Sequence, residues 1–295
     1  MNAIISFSLY GHAPLYCEGA LRNVVLAKSV YPGWPCRFYI DDTVPVRYVN
    51  VLERRGAQIV HVAKSLGPMY GRYWRFWPAA DPTTDRFIVR DADSRLNLRE
   101  KAAVDEWIRS GKSFHVTRDH PQHGVRILGG MWGGVRGKLP DIAALIDRWG
   151  LFARQGENQQ FMSEVVHPHM GRDYLCHDSV GHFDDATPLP RHEPLVGTSY
   201  VGEVVHIHKP RIGVWENVGT LSGLPWASNK DSASWSQAYD RLANELMLTD
   251  EECARLRLRP RPGPLGQIWA ARRRLPAAFS IRRLLSQSAD VRGRR

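Results

Sequence analysis

Short apolar runs alternate with helical patterns through the first part of the chain, and this alternation constrains the fold more than any other feature. We predict strands over Ala3–Tyr10, Cys36–Ile40, Ala57–Val62 and Arg86–Arg90, with helices over Leu15–Val30 and Val46–Arg55 between them. A parallel strand can follow another strand only through a long crossover, which is usually a helix. The sequence therefore predicts an α/β fold with a mostly parallel central sheet flanked by helices.

The pattern continues with less regularity after the fourth strand. We predict further helices over Arg99–Arg109, Leu139–Trp149, Glu157–Val166 and Ser234–Met247, strands over Ser113–Thr117 and Arg126–Trp132, and an aromatic segment over Gly71–Ala80. These elements divide the chain into a main α/β domain over residues 1–225, a helical extension over 226–254 and a basic tail over 255–295.

Composition narrows the class of protein. The chain has 295 residues, of which 43% are apolar, and it carries ten Trp, which is typical of a soluble globular protein. No apolar run is long enough for a membrane helix, and the N-terminal segment lacks the basic region of a signal peptide. The four cysteines form no Cys-x-x-Cys pair, so they indicate neither a zinc site nor a disulfide framework. These features predict a cytoplasmic protein.

Two carboxylates directly follow the apolar run Phe87–Val89, in the tetrapeptide Arg90-Asp91-Ala92-Asp93. In an extended chain, residues i and i+2 point to the same face, so both acids are expected to converge. Like charges this close repel unless a cation lies between them, and Mg²⁺-type ions favour one or two protein carboxylates completed by phosphates and water. The spacing thus indicates a divalent metal that holds a nucleoside diphosphate. A solvated turn after the strand is the alternative.

Four further segments follow the acid pair in a set order. They are His120–His123, Ile127–Trp132 with Gly129 and Gly130, Glu157–Met162 with Asn158 and Gln159, and His206–Pro210. Glycine lets a backbone approach a ligand closely, although it also relieves crowding within a sheet. Asn158 stands at a helix start, where it could equally be an N-terminal cap. The histidines could equally be polar loop residues.

With these motifs in this order, the chain resembles nucleotide-sugar-dependent glycosyltransferases of the GT-A fold, particularly small bacterial ones and more distantly the glycogenin-like enzymes. The resemblance covers about residues 1–215 and implies a GT-A-like sheet. It implies that Asp91 and Asp93 hold Mn²⁺ or Mg²⁺ on the donor diphosphate. It further implies donor-sugar contacts from the pairs Gly129-Gly130 and Asn158-Gln159, a metal ligand in His208 or His206, and a diphosphate contact from Lys209. Asn158 stands where the glycogenin-like pattern has an acid.

The chemistry of sugar transfer fits these residue types. Negative charge builds on the leaving diphosphate, where a metal, Lys209 and a nearby arginine such as Arg90 stabilise it. An inverting reaction also requires a base for the acceptor hydroxyl, and Asp119, Glu157 and His123 are the candidates. We therefore predict a metal-dependent glycosyltransferase, hexosyltransferase-like, that moves a sugar from a nucleotide-sugar donor to a glycan or lipid-linked acceptor in surface polysaccharide synthesis.

The positive charge of the chain is concentrated at its C-terminal end. Residues 255–295 contain twelve Arg and one Asp, a net charge of +11, whereas the whole chain has +10 and the remainder therefore −1. Ala277, Ile281 and Leu284 share one helical face beside these arginines. Such helices are attracted to anionic lipid, so we predict peripheral attachment at the inner face of the membrane. A solvated tail ranks second, and nucleic-acid binding third, since no base-reading module is visible.

Two other functions remain open. A nucleotidyltransferase also uses paired acids and a metal, although the N-terminal part shows no glycine-rich phosphate loop with a lysine. A non-catalytic basic module that binds membranes or nucleic acid would leave the acid pair without a role.

Overall fold

The computed structural model describes residues 1–63, 70–149, 157–190 and 200–205. Within these ranges the strands are β1 (Ala3–Leu9), β2 (Cys36–Ile40), β3 (Gln58–His61), β4 (Arg86–Arg90), β5 (Phe114–Arg118), β6 (Met131–Val135), β7 (Tyr174–Asp178) and β8 (Ala186–Thr187). The helices are α1 (Pro14–Val30), α2 (Val46–Arg54), α3 (Gly71–Trp74), α4 (Leu98–Ser110), α5 (Ile142–Trp149), α6 (Glu157–Phe161) and α7 (His167–Met170). The predicted helix Ser234–Met247 and the basic tail lie outside the described residues.

All eight strands belong to one sheet, in the order β3-β2-β1-β4-β6-β5-β7-β8. Each described pairing is parallel except the two made by β6, which runs antiparallel to β4 and to β5. The predicted α/β fold with a mostly parallel sheet flanked by helices is therefore confirmed.

The two faces of the sheet bury alternate residues of the same strands. Ile4, Phe87 and Val89 belong to a core cluster that also includes aromatic residues of α3 and α6 and the apolar face of α5. Ile5 and Ile88, which alternate with them, are equally buried. Because both faces of the sheet are covered, nearly every residue of a central strand is buried, and these strands are nearly continuous apolar runs in the sequence.

The reversed direction of β6 determines where the polar loops meet. Arg90, the last residue of β4, pairs in register with Met131, the first residue of β6. The loop that leaves β4 and the loop that enters β6 therefore lie at the same edge of the sheet. The carboxyl ends of β1, β2, β5 and β7 lie at this edge too, because these strands run parallel to β4.

Strand β6 begins later than the predicted strand Arg126–Trp132 and includes two glycines. A Cβ atom at Gly133 would lie 2.6 Å from the carbonyl oxygen of Phe87, and one at Gly134 would lie 3.0 Å from the Phe114 ring. Backbone and side chains of the neighbouring strands thus fill the space beside β6. The glycines, which read as loop residues in the sequence, are the residues that allow this strand to pair on both sides.

Other elements differ from the prediction at their ends. The predicted helix Glu157–Val166 is divided into α6 and a single π-helical turn, Met162–Val166, which continues into α7. Strand β7 was not predicted. No helix in the described part of the chain is long and apolar enough to cross a membrane.

Candidate active site

Asp91 and Asp93 begin the loop that follows β4, at the edge where the polar loops meet. The Asp91 side chain is 47% exposed, whereas Asp93 is partly buried. Burial, followed by the negative charge of Asp91, raises the pKa of Asp93 to about 6. The two carboxylates are therefore close enough to repel each other, which is the electrostatic situation that a bound cation relieves.

Gly130 lies directly against the Asp91 carboxylate. A Cβ atom at this position would be 1.7 Å from Oδ2 of Asp91, so only glycine leaves room for the carboxylate in its present place. The loop that enters β6 thus forms one wall of the acid site. Both glycines of the predicted donor-sugar segment, Gly129 and Gly130, are buried at this wall.

The start of helix α6 forms the next part of the same wall. The backbone nitrogen of Gly129 donates a hydrogen bond of 2.8 Å to Oε1 of Gln159. A Cβ atom at Gly129 would lie 3.2 Å from Nδ2 of Asn158. The structure therefore brings Asn158, Gln159 and the glycine pair together beside Asp91. Because the Oε1 atom of Gln159 accepts from the backbone, the amide NH₂ group at Nε2 is the part of this side chain that can donate to a ligand.

Arg75 is a member of this site that the sequence analysis did not identify. It follows α3, and its Nη1 atom forms an ion pair and hydrogen bond with Oδ1 of Asp91. Its Nη2 atom lies 3.1 Å from where a Cβ of Gly129 would be. The only sequence signal was one arginine within an otherwise aromatic run, Tyr73–Trp77.

Tyr16, in the first turn of α1, lies within electrostatic range of the acids. Its side chain is exposed, at 42%. Partial burial, and then the charge of Asp93, raise the pKa of its phenol, and Tyr10 and Asp91 act in the same direction. An exposed aromatic ring therefore stands beside the acid pair.

The segment 200–205 returns to the acid loop. The backbone nitrogen of Val205 donates a hydrogen bond of 2.9 Å to the carbonyl oxygen of Asp93. The backbone nitrogen of Val201 donates one of 2.8 Å to Oδ2 of Asp119. His206 is thus the next residue after one that contacts the acid loop. The predicted ligands His206, His208 and Lys209 themselves lie outside the described residues.

The predicted donor contact from Arg90 does not fit its position. The Arg90 side chain is 1% exposed, its Nε atom lies 2.9 Å from Oε1 of Glu100, and its Nη1 donates to the carbonyl oxygen of Trp132 at 3.2 Å. Arg90 therefore neutralises a buried glutamate inside the protein. A residue at the end of a strand can point inward in this way, because the side chains of consecutive strand residues point to opposite faces.

The candidate base Asp119 is also engaged inside the protein. Its side chain is 1% exposed, and its Oδ1 atom lies 2.7 Å from Nη2 of Arg99. With these partners it holds the segment 200–205 and is not presented to an acceptor. His123 accepts a hydrogen bond of 3.0 Å at Nδ1 from the backbone nitrogen of Asp119, and burial lowers its pKa to about 4. Only the backbone of Glu157, the first residue of α6, is described.

The donor set at the edge suits a hard divalent cation. Within residues 1–63, 70–149, 157–190 and 200–205, no three His, Cys, Asp or Glu side chains gather into a group that could hold a metal alone. Mg²⁺ and similar ions are usually held by one or two protein carboxylates, with phosphate and water supplying the remaining ligands. Asp91 and Asp93, which repel each other until a cation is shared, match that pattern.

Comparison with known proteins gives matches only at the level of structure. No protein-family model and no curated protein matches this chain. Similar solved structures include a glycosyltransferase involved in glycosylating the major capsid protein of PBCV-1, with 17% identity over 63% of this chain and 90% of that chain, at a TM-score of 0.40. They also include 4-diphosphocytidyl-2C-methyl-D-erythritol synthase from Anaerococcus prevotii, with 10% identity over 60% and 87% and a TM-score of 0.38.

A third similar structure is glucosyl-3-phosphoglycerate synthase from Mycobacterium tuberculosis, in complex with Mn²⁺, uridine diphosphate and phosphoglyceric acid. Its identity is 11% over 58% of this chain and 78% of that chain, with a TM-score of 0.34. Glycosyltransferases and cytidylyltransferases are thus both among the similar structures. At these low values the similarities carry no functional argument, and the function is inferred from the geometry of the site.

Proposed function

We propose that this protein is a metal-dependent glycosyltransferase that moves a sugar from a nucleoside-diphosphate sugar to a glycan or a lipid-linked acceptor. The observation that supports this most is the meeting of three separate sequence segments at one sheet edge. Gly130 lies against the carboxylate of Asp91, and Gly129 bonds to Gln159 and lies next to Asn158.

Each part of the edge has a role in this proposal. Asp91 and Asp93 hold Mn²⁺ or Mg²⁺, which when bound neutralises charge on the leaving diphosphate. His208 or His206, which follow the anchored Val205, complete the protein ligands, and Lys209 contacts the diphosphate. The exposed ring of Tyr16 offers a flat apolar surface beside the acids for the nucleoside base.

The glycine and amide pairs position the sugar. Gly129 and Gly130 leave room for the polar side chains of the site to lie close to the backbone, and the amide groups of Asn158 and Gln159 can donate to sugar hydroxyls. Because its Oε1 atom accepts from Gly129, Gln159 hydrogen-bonds to the donor sugar through its amide NH₂ group. Holding the reacting groups in place is a large part of the rate enhancement available to a transferase.

We also propose that the basic tail, residues 255–295, attaches this enzyme to the inner face of a membrane that carries its acceptor. The support is the charge distribution alone, with +11 in the tail against −1 in the rest of the chain. Several arginines near an anionic bilayer together suffice for reversible binding.

A thermal-shift panel tests the proposal directly. We expect UDP-, GDP- or TDP-sugars to raise the melting temperature of the wild type only when Mn²⁺ is present, because the metal holds the diphosphate. A ligand at 100 times its Kd adds about 2.7 kcal/mol. Asp91→Asn and Asp93→Asn should lose this shift and the turnover while remaining folded without ligand. Asp105→Asn, in a surface pair with Lys101, is the matched control.

Two results would contradict the proposal. One is an absence of any nucleotide-sugar shift in the wild type with Mn²⁺. The other is near wild-type turnover in Asp93→Asn. A shift with nucleoside triphosphates and release of pyrophosphate would instead indicate a nucleotidyltransferase.

A further inference from the structure

Arg75 lies next to Asp91, on the side of the carboxylate that faces the interior of the protein. Its side chain is 8% exposed, whereas that of Asp91 is 47% exposed. The guanidinium therefore contacts Asp91 from the buried side and leaves the solvent side of the carboxylate open. Ligands entering from solvent meet Asp91 while Arg75 already neutralises it.

We propose that Arg75 is an exchangeable counter-ion of Asp91, which a divalent metal displaces and which then binds the anionic diphosphate of the donor. Metal and nucleotide would then bind cooperatively through this one side chain. The inference rests on the proposed function, since it concerns the same site.

One of the three nitrogens of the guanidinium lacks a partner in its present position. Its Nε atom is buried and has no hydrogen-bond partner among the described residues. A buried donor without an acceptor is unfavourable, so a second acceptor near Arg75 would be bound readily. The planar fork of arginine is well matched to the oxygens of a phosphate group.

Two cations compete for the same carboxylate. A divalent ion bound at Asp91 would lie within a few ångströms of the guanidinium, and the two would repel each other because the site is partly shielded from water. Metal binding alone must therefore overcome the existing ion pair. When a diphosphate arrives with the metal, it supplies the anion that Arg75 lacks, so each ligand strengthens the binding of the other.

The backbone at Arg75 is fixed independently of its side chain. Its backbone nitrogen donates to Oγ of Ser8 at 3.0 Å, and its carbonyl oxygen accepts from Oγ of Ser6 at 2.8 Å. Both serines belong to β1. Movement of the guanidinium thus requires only side-chain rotation, and a substitution at this position leaves the main-chain anchors in place.

The test is the affinity for Mn²⁺, measured by titration calorimetry with and without saturating UDP. We expect Arg75→Gln to bind Mn²⁺ alone at least about fivefold more tightly than the wild type, and the gain in Mn²⁺ affinity caused by UDP to fall at least about fivefold. The matched control is Arg72→Gln, which removes an equal charge on α3 near Tyr16 and should change both values less than about twofold.

The outcomes separate the inference from the proposed function. If Arg75→Gln binds Mn²⁺ no more tightly than the wild type, or if Arg72→Gln tightens it equally, Arg75 is not an exchangeable counter-ion. If the wild type binds Mn²⁺ neither alone nor with UDP, the proposed function is wrong as well. If Arg75→Gln does not fold, Arg75→Lys decides the question, because its single ammonium lacks the fork and should lose at least about fivefold of the UDP effect. An unchanged UDP effect in that variant overturns the inference.

Discussion

The backbone nitrogen of Gly129 and the side-chain oxygen of Gln159 are joined by a hydrogen bond of 2.8 Å, although the two residues are 30 positions apart. This bond attaches the loop that enters β6 to the first turn of α6. It also sets the orientation of the Gln159 amide, with the oxygen towards the backbone. The position of the glycine wall beside Asp91 therefore depends on a side chain from another element.

We predict that Gln159→Met lowers both stability and turnover. It leaves the buried Gly129 amide without an acceptor, which costs about 1–3 kcal/mol of unfolding free energy, and we expect turnover to fall at least tenfold, about 1.4 kcal/mol in activation free energy. Urea unfolding and initial rates measure the two effects. The control is Gln160→Met, an exposed neighbour whose amide donates a hydrogen bond of 2.9 Å to Oε1 of Glu164.

Gln159→Glu distinguishes positioning of the loop from contact with the donor. A carboxylate can still accept from Gly129, so the free energy of unfolding should be close to that of the wild type. The amide NH₂ group is lost, however, and a negative charge is added beside Asp91. We expect turnover to stay low. Wild-type turnover in this variant would show that the amide NH₂ group of Gln159 does not contact the donor.

Gly130→Ala should disable the acid site without unfolding the protein. The added Cβ would lie 1.7 Å from Oδ2 of Asp91, so the carboxylate must move away from its present place. We expect the Mn²⁺-dependent thermal shift by nucleotide sugars to disappear. Gly124→Ala is the control, because its Cβ would meet the His182 ring at an ordinary 3.5 Å. Retention of the full shift in Gly130→Ala would exclude Asp91 as a ligand in its observed position.

Elements whose sequence signals are local were predicted correctly, whereas features that depend on contacts between distant residues were not. Strands β1, β2 and β4 and helices α1 and α2 were predicted within one or two residues, because periodicity and Pro or Gly at their ends are local signals. Strand β6 was misplaced because Gly133 lies against the backbone and Ile88 of β4, and Gly134 against rings from β4 and β5, and these neighbours are distant in sequence. Arg75 was missed for the same reason, since its pairing with Asp91 exists only in the folded sheet.

Arg90 and Asp119 illustrate what the sequence leaves out. Both are charged residues at the ends of strands, and in the sequence they look like site residues. The structure pairs each with an opposite charge inside the protein, Glu100 and Arg99 respectively. A sequence shows that a charge follows a strand, but it does not show whether a partner on a neighbouring helix covers it.

Stability should fall as the pH is lowered from 7 to 5. His115 and His177 are fully buried, with Nε2 of the first 2.9 Å from Nδ1 of the second, and burial lowers the pKa of both. Below about pH 6.5 the unfolded chain binds protons that the folded protein excludes, so unfolding becomes more favourable as pH falls. Each histidine kept neutral contributes up to about 1.4 kcal/mol per pH unit.

Urea unfolding at pH 7.5, 6 and 5 measures this dependence. His115→Gln removes one of the two titrating groups and should give a shallower pH dependence than the wild type. His169→Gln, at an exposed position of α7, is the control and should keep the wild-type slope. Equal slopes in the wild type and His115→Gln would contradict the assignment.

The basic tail is predicted to localise the enzyme without taking part in transfer. A variant ending at residue 254 should no longer sediment with vesicles containing anionic lipid, because each arginine near the surface contributes about 1 kcal/mol. Its turnover on a soluble acceptor analogue should remain within about twofold of the full chain. Binding of the full chain should weaken at high salt. Equal sedimentation with and without the tail would rule out the membrane role.

The hydrogen bond from Val205 to the carbonyl oxygen of Asp93 limits where this protein can be shortened or fused to another. A fragment that ended with β8 would contain every strand of the described residues and yet leave the carbonyl oxygen of Asp93 without its bond to Val205. Domain-swap or reporter fusions should therefore be joined beyond residue 205. Recombination during evolution faces the same constraint, since a C-terminal module can be exchanged independently of the acid site only if the junction preserves this bond.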